Sequence, residues 1–305
     1  MSFWLKILGS NAAAPAHSRN QTSQLLRVNS QIFLIDCGEG TQHQLKKYGV
    51  KLGKIDHIFI SHLHGDHFYG LIGLISTLHL YGRKKSLFIY GPPGLGEIIT
   101  IQLKHSNTSL TYDIVLKEWK PETSELIFES KTIEVSTFPM DHRISCSGFL
   151  FKEKPLPRRI NKKLLPRDIL PSQIGILKSG RNVENEEGDI IFNHQALTID
   201  PRPPVSYAYC SDTRFTDEIL PFINGVNIIY HEATFMEDMA DRAVLTFHST
   251  ARQAATIAKM AGVDKLIIGH FSTRYKNLKP LLVEAKEVFE NSYLGIEGCD
   301  FVLVD

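Results

Sequence analysis

The stretch Ser61-His62-Leu63-His64-Gly65-Asp66-His67 constrains this chain more than any other. It follows directly on the apolar run Ile55 to Ile60, which reads as a buried strand, so the histidines and the aspartate fall in a turn at a strand's C-terminal end. Irregular backbone there can aim several side chains at one point. His62 and His64, two apart in extended chain, project to the same side. Asp66 and His67 turn towards a neighbouring point, which suits two metal ions a few ångströms apart, and Gly65 permits the tight backbone this requires. The pattern His-x-His-x-Asp-His arises by chance in roughly one chain in a thousand of this composition. A set of unconnected structural histidines is therefore the weaker reading.

A two-metal site needs more ligands than one turn supplies. Three later segments each end a strand-like run with a suitable side chain: Val135 to Asp141-His142, Val205 to Tyr209 followed by Cys210-Ser211-Asp212, and Leu266-Ile267-Ile268-Gly269-His270. Singly, each could be a turn residue; beside the first cluster, ligation is the better reading. Imidazole and carboxylate without thiolate are the donors of catalytic zinc, which keeps one position open for water. Asp212 can bridge two ions through its two oxygens. The cysteines Cys37, Cys146, Cys210 and Cys299 are scattered and form no C-x-x-C pair, so they read as structural thiols of a reducing cytoplasm.

The chain of 305 residues has room for one large α/β domain or for two smaller ones. Short apolar strands, Ile32 to Ile35, Ile55 to Ile60, Leu87 to Tyr90 and Val205 to Tyr209, alternate with helical segments. The clearest helix runs from Ala251 to Ala261, with alanines on one face, Ser249 or Thr250 as N-cap and Gly262 as stop. Met1 to Lys6 reads as a first strand rather than a secretion signal. No run approaches the ~20 apolar residues of a membrane span; Leu71 to Leu80 is interrupted by glycine and carries His79. A cytoplasmic protein without membrane contact is expected.

The net charge of +1 is unevenly spread. Between Lys152 and Arg181 stand nine basic residues against two acidic ones, which makes that segment +7 and the remainder −6. Prolines crowd the stretch from Lys152 to Pro204, which reads as an insertion projecting from the domain. A basic module on a slightly acidic body is the layout of a phosphate-backbone contact. A solvated loop has the same composition and, from charge alone, is the commoner outcome.

These motifs resemble those of the metallo-β-lactamase superfamily and, within it, of the tRNase Z (ribonuclease Z) family, along nearly the whole chain. The resemblance rests on the turn 61–67, on His142, Asp212 and His270, on Asp36-Cys37-Gly38-Glu39-Gly40-Thr41-Gln42 and on Gly91-Pro92. His231-Glu232-Ala233-Thr234 and His248-Ser249-Thr250 are the segments more specific to tRNase Z. It implies one α/β domain over residues 1–305, a four-layer αββα sandwich, with residues 150–205 as an inserted flexible basic arm that grips the body of tRNA. It implies two Zn²⁺ per chain, one held by His62, His64 and His142, the other by Asp66, His67 and His270, with Asp212 as bridge. The implied reaction is endonucleolytic removal of the 3′ trailer of precursor tRNA, leaving a 3′-hydroxyl on the tRNA and a 5′-phosphate on the trailer. The implied assembly is a homodimer in which one subunit's arm presents tRNA to the other's active site.

Under this resemblance Arg158, Arg159, Lys162 and Lys163 become candidate tRNA contacts, although Pro171-Ser172 stands where the family's arm usually carries a Gly-Pro pair. The loop Pro15 to Asn20 resembles the family's Pro-x-Lys-x-Arg-Asn motif, so His17, in place of the lysine, with Arg19 and Asn20 are candidate contacts at the cleavage site. Asp66 is expected to serve as base as well as ligand. His248 is the candidate donor of a proton to the leaving 3′-oxygen. Its place before a helix N-cap exposes it to the positive helix end, which disfavours the imidazolium, and Glu232 is expected to offset that. A His248 that merely ties the helix start to the core is the alternative. Glyoxalase-type thioester hydrolases, lactonases and β-lactamases share the metal motif without an evident use for the basic arm. A non-catalytic RNA-binding relative would have lost ligands, and none is lost.

Overall fold

The computed structural model describes residues 3–304. They form two compact units, one of residues up to Glu129, Val135–Phe151 and from Val205 onward, the other of Ser130–Glu134 and Lys152–Pro204.

In the first unit apolar runs become strands because both of their faces are covered. One seven-stranded sheet has the order Asp300–Val304, Phe3–Gly9, Ser23–Val28, Gln31–Ile35, His57–Phe59, Leu87–Gly91, Ile114–Glu118. The other runs Ser292–Leu294, Lys265–Gly269, Ile228–Glu232, Ser206–Cys210, Ser147–Glu153, Ile133–Pro139, Leu126–Glu129. Aromatic rings fill the space between the sheets, with Phe33 5.7 Å from Phe151 and Phe59 5.6 Å from Phe149, centroid to centroid. Outside the first sheet the helices Thr41–Lys47, Leu71–Leu80 and Leu95–His105 bury Leu45, Leu74, Leu78 and Leu95 together with Ile58 and Ile89. Outside the second, Ala251–Met260 and Lys279–Val288 bury Ala254, Ala255, Ala258 and Leu281 together with Ile229 and Ile268. The small side chains of the alanine face let that helix lie close to the sheet. This is the expected four-layer αββα sandwich.

Parallel pairing places the chemistry. Gln31–Ile35, His57–Phe59, Leu87–Gly91 and Ile114–Glu118 pair in parallel, as do Ser206–Cys210, Ile228–Glu232, Lys265–Gly269 and Ser292–Leu294. Loops at the C-terminal ends of parallel strands are where open α/β sheets collect functional side chains. The chain leaves His57–Phe59 into the turn 61–67, Ser206–Cys210 into Asp212, and Lys265–Gly269 into His270.

Several boundaries differ from the sequence expectation. The strand expected over Ile55 to Ile60 is confined to His57–Phe59, because Leu52–Lys54 coil into a 3₁₀ turn. Thr250 rather than Ser249 caps the alanine helix: its hydroxyl accepts from Gln253 N at 3.1 Å while Gln253 Oε1 accepts from Thr250 N at 3.0 Å. Ser249 instead donates to Thr213 O at 2.7 Å. Gly262 ends the helix with φ +60°. The first strand is Phe3–Gly9, and Met1 and Ser2 of the expected one lie outside the described residues. Among the described residues no helix is long and apolar enough to cross a membrane, and the four cysteines are free thiols.

The second unit takes in the whole proline-rich stretch and adds residues 130–134, for which composition gives no sign. The helix Pro171–Lys178 opens with proline at its first position, where the missing N–H costs nothing. Arg159–Ile160 pairs with Thr198–Ile199, and Val183–Glu184 with Ile190–Phe192. Arg202 grips the buried Glu153 carboxylate with two nitrogens at 2.6 and 2.8 Å.

Candidate metal centre

The turn 61–67 is shaped by a residue 25 positions upstream of its start. Asp36 leaves the strand Gln31–Ile35 with φ +54° and is fully buried. Its carboxylate accepts from Ser61 N at 2.7 Å, Ser61 Oγ at 2.9 Å, His67 Nδ1 at 2.7 Å and Tyr209 Oη at 2.6 Å. It therefore pins both ends of the turn and fixes which His67 nitrogen points away. Gly65 starts the short helix Gly65–Phe68 that carries Asp66 and His67. Its φ is not positive; a Cβ there would lie 2.2 Å from the Tyr69 ring. Gly65 thus permits a close-lying ring rather than an unusual backbone, which corrects the expectation. Replacing Asp36 by alanine strands three buried donors and an imidazole, so it is expected to destabilise the fold by about 3–5 kcal/mol, read as a lowered urea midpoint.

His62, His142 and His270 are oriented the same way, one nitrogen anchored and the other turned inward. His62 Nδ1 meets Ser61 Oγ at 3.0 Å, His142 Nδ1 the Phe247 carbonyl at 2.9 Å, and His270 Nδ1 the Thr234 hydroxyl at 3.0 Å. Such anchors set the tautomer and aim of metal-binding imidazoles. The inward atoms fall into two groups. His64 Nδ1 is 3.1 Å from both His62 Nε2 and His142 Nε2. His270 Nε2 is 3.3 Å from His67 Nε2 and 3.4 Å from Asp66 Oδ2. Asp212 joins them, with Oδ2 3.7 Å from His62 Nε2 and 3.5 Å from His67 Nε2, and Oδ1 3.3 Å from His270 Nε2.

These spacings fit metal ions. Donors at about 2.0–2.1 Å from a tetrahedral zinc stand about 3.4 Å apart. Inward nitrogens that face one another at 3.1 Å with lone pairs directed together repel unless a cation lies between them. Burial, the largest influence, holds His62 and His142 below their ordinary pKa and His64 down to about 4, so all three are neutral bases ready to donate a lone pair. Burial alone would raise Asp66 and Asp212, but His67 and His270 outweigh it and both carboxylates stay ionised. Burial likewise opposes the His67 cation, and Asp212, Asp66 and Asp36 overcome it, so this imidazole is held above its ordinary value. Ionised Asp66 and Asp212 beside the neutral imidazoles of His62, His64 and His142, with His67 drawn towards its cation by the same carboxylates, are the electrostatic setting of a cation site.

Asp212, Glu232, His248 and His270 also come within 4.8 Å of one another. Glu232 is nevertheless not free to coordinate. It accepts from Thr213 N at 3.0 Å, Thr234 N at 3.2 Å, Thr234 Oγ1 at 2.6 Å and His248 Nδ1 at 2.7 Å. Burial opposes the His248 cation, but Glu232 dominates and lifts the imidazole to about 9. The expected helix-end effect is also balanced, because His248 N closes the C-terminal end of helix Ala240–Thr246 on Ala243 O at 2.8 Å, where a cation is favoured.

A cleft of about 490 Å³ lies over the donors and is lined by Ala12, Ala13, Gln21, Tyr69, Arg143 and His248 as well as by His64, Asp66, His142, Asp212 and His270.

The comparisons with known proteins decide among the enzymes that could share such a centre. A family model described as Anti-Pycsar protein Apyc1 matches residues 3–155, half of the chain, and so takes in the turn 61–67 and His142 but not Asp212, His248 or His270. Ribonuclease Z of Cytophaga hutchinsonii is 48% identical over 305 residues, covering 100% of this chain and 97% of that protein. Ribonuclease Z of Bacteroides fragilis is 44% identical over 297 residues, covering 97% of each. The chain belongs to the ribonuclease Z family. Over residues 3–155 it belongs to the family of the matching model as well. The crystal structure of human tRNase Z, short form, superposes with TM-score 0.72 at 26% identity over 99% of this chain and 100% of that one. The metallo-β-lactamase fold protein YhfI of Bacillus subtilis, at 18% identity and TM-score 0.69, shares the fold. The chain is thus an endoribonuclease of the metallo-β-lactamase fold, with a His/Asp cluster able to hold metal.

For a ribonuclease Z relative, the loop at residues 15–20 sits differently from the expectation. Arg19 is buried, donating through Nε to Asn11 Oδ1 at 2.9 Å and through a terminal nitrogen to Tyr275 O at 2.6 Å, so it braces the loop from inside. Asn20 N donates to Glu297 Oε1 at 2.8 Å, and the exposed His17 holds Thr273 O at 2.9 Å. None of the three lines the cleft. Ala13 does, and its N–H donates to Asp66 Oδ2 at 2.7 Å. In the second unit Arg158 bonds Thr198 Oγ1 at 2.5 Å and pairs with Asp200, whereas Arg159, Lys162 and Lys163 are exposed. Arg158 is therefore part of that unit's own framework. Sequence reading misses Asp36 and Thr234 as supports, and also Arg143, one of whose terminal nitrogens lies 3.2 Å from His64 Nε2; only its place beside His142 hints at it.

Proposed function

We propose that this chain is a zinc-dependent endoribonuclease that removes the 3′ trailer of precursor tRNA, leaving a 3′-hydroxyl on the tRNA and a 5′-phosphate on the trailer. The observation that carries the reading is the pair of donor groups joined by Asp212, in a chain whose full length aligns with ribonuclease Z. His62, His64 and His142 would hold one ion, Asp66, His67 and His270 the other, with Asp212 between them. When bound, two such ions supply Lewis acidity at the phosphoryl oxygens and a water that ionises near neutral pH.

The remaining work falls to the chain's own groups. Asp66, fixed by the Ala13 N–H and kept ionised by His67 and His270, accepts a hydrogen bond from the attacking water and orients it; its low proton affinity makes any proton it takes up transient. His248, charged at neutral pH through Glu232, gives its proton to the departing 3′-oxygen. Attack by water needs no 2′-hydroxyl. The exposed cations Arg159, Lys162 and Lys163 of the second unit grip the tRNA body. The reading further includes a flexible arm over residues 150–205, a homodimer in which that arm serves the partner's site, and a cytoplasmic location.

Purified protein loaded with zinc should release the trailer from a precursor tRNA, with the tRNA ending in a 3′-hydroxyl, and lose activity to a chelator; a 2′,3′-cyclic product or chelator-resistant cleavage would refute the mechanism. Changing Arg159, Lys162 and Lys163 to alanine should leave hydrolysis of bis(p-nitrophenyl) phosphate intact. It should weaken tRNA binding and reduce its salt slope by up to about one unit for each phosphate that is no longer neutralised. Equal loss on both substrates would assign the three residues to folding instead.

A further inference from the structure

A second cavity, of about 510 Å³, lies on the outer face of the first sheet, away from the metal donors. Register explains its composition. Val302, Trp4, Arg27 and Ile32 form one cross-strand row, and Asp300, Lys6, Leu25 and Leu34 the next. The segment 48–54 walls these rows with Tyr48, Val50, Lys51 and Lys54. Elsewhere this face is covered by helices. Here Trp4, Ile32 and Tyr48 are left half-exposed and Val302 is 49% exposed.

The charge over this apolar floor has one sign. Among the described lining residues the only carboxylate, Asp300, is taken up by Lys6 at 2.7 Å. The Lys6 ammonium lies 5.1 Å from the Tyr48 ring centroid and 5.9 Å from that of Trp4, so it ties the two aromatic side chains together. Arg27, Lys51 and Lys54 are exposed, and Lys46 and Lys47 continue the basic surface along the adjoining helix. An acidic peptide would satisfy the cations but would not need two flat rings beside them.

We propose that this face is a platform for single-stranded RNA, with a base stacked against Trp4 beside the cation-bearing Tyr48 ring and the neighbouring phosphates held by Arg27, Lys51 and Lys54. Aromatic rings on an open sheet, flanked by cations, bind single strands without sequence preference. The inference rests on the endoribonuclease reading and extends it, because it gives the same RNA a second contact outside the metal cleft.

The two tryptophans make the test direct: Trp119 is buried at 3% exposure, so quenching by a bound base reports Trp4. Titration with hexauridylate at low salt should give saturable quenching that weakens as salt rises. Changing Lys51 and Lys54 together to glutamate should weaken it about tenfold or more while leaving hydrolysis of bis(p-nitrophenyl) phosphate unchanged. Absent quenching, or quenching unaffected by the double change, would overturn the platform. So would uridine monophosphate binding as tightly as the hexamer, since that marks a site for a free nucleotide, or preferential occupation by an acidic peptide. Cleavage of precursor tRNA by the same preparation separates the two readings: cleavage without quenching rejects the platform alone, and quenching without cleavage rejects the endoribonuclease alone.

Discussion

Asp212→Ala should remove hydrolysis of every phosphodiester, large or small. Asp212 stands beside both donor groups, with one oxygen 3.7 Å from His62 and 3.5 Å from His67 and the other 3.3 Å from His270. Its loss removes a donor from each group at once and leaves a gap in a buried cluster. Metal content should fall, and the stabilisation of phosphoryl charge, worth several kcal/mol, should go with it. At about 1.4 kcal/mol per factor of ten, the turnover of bis(p-nitrophenyl) phosphate and of precursor tRNA should each drop by about 10⁴-fold or more. His64→Ala should act in the same direction through the first group alone. Circular dichroism checks that the sandwich persists. Full activity with undiminished metal in the Asp212 variant would show that the cluster is not the catalytic centre.

The donors are legible in the sequence because they are local: His62, His64, Asp66 and His67 share one turn, and His142, Asp212 and His270 each end an apolar run. Their supports are not. Asp36 acts on Ser61 and His67 across 25 and 31 positions, and Thr234 on His270 across 36, distances over which one sequence carries no pairing signal. The same blindness hides the partners of two arginines. Nothing near Arg19 announces that Asn11 and Tyr275 will take its guanidinium, or near Arg158 that Asp200 and Thr198 will. Charge in a motif reads as facing a ligand, whereas a buried guanidinium with carbonyl partners works equally well as a brace. Helix Ala251–Met260 is readable almost to the residue, since its cap, its apolar face and its stop are all encoded within the segment itself.

His248→Ala separates proton donation from architecture. If His248 supplies a proton, its loss matters in proportion to how badly the leaving group needs one. The 3′-oxygen of a ribose is a poor leaving group as a bare alkoxide, so cleavage of precursor tRNA should fall by about 10²–10⁴-fold, the usual range for a general acid. The p-nitrophenolate of bis(p-nitrophenyl) phosphate leaves readily as the anion, and its release should change little. Glu232→Gln should reproduce the pattern more weakly. It keeps an acceptor for His248 Nδ1 but withdraws the charge that lifts this imidazole to about 9, so less of it is protonated at neutral pH. KM for tRNA should stay near its original value in both variants, because the proton is needed only as the bond breaks. A His248 that merely fastened helix Ala251–Met260 to the sheet would instead lower both activities together, along with the melting temperature.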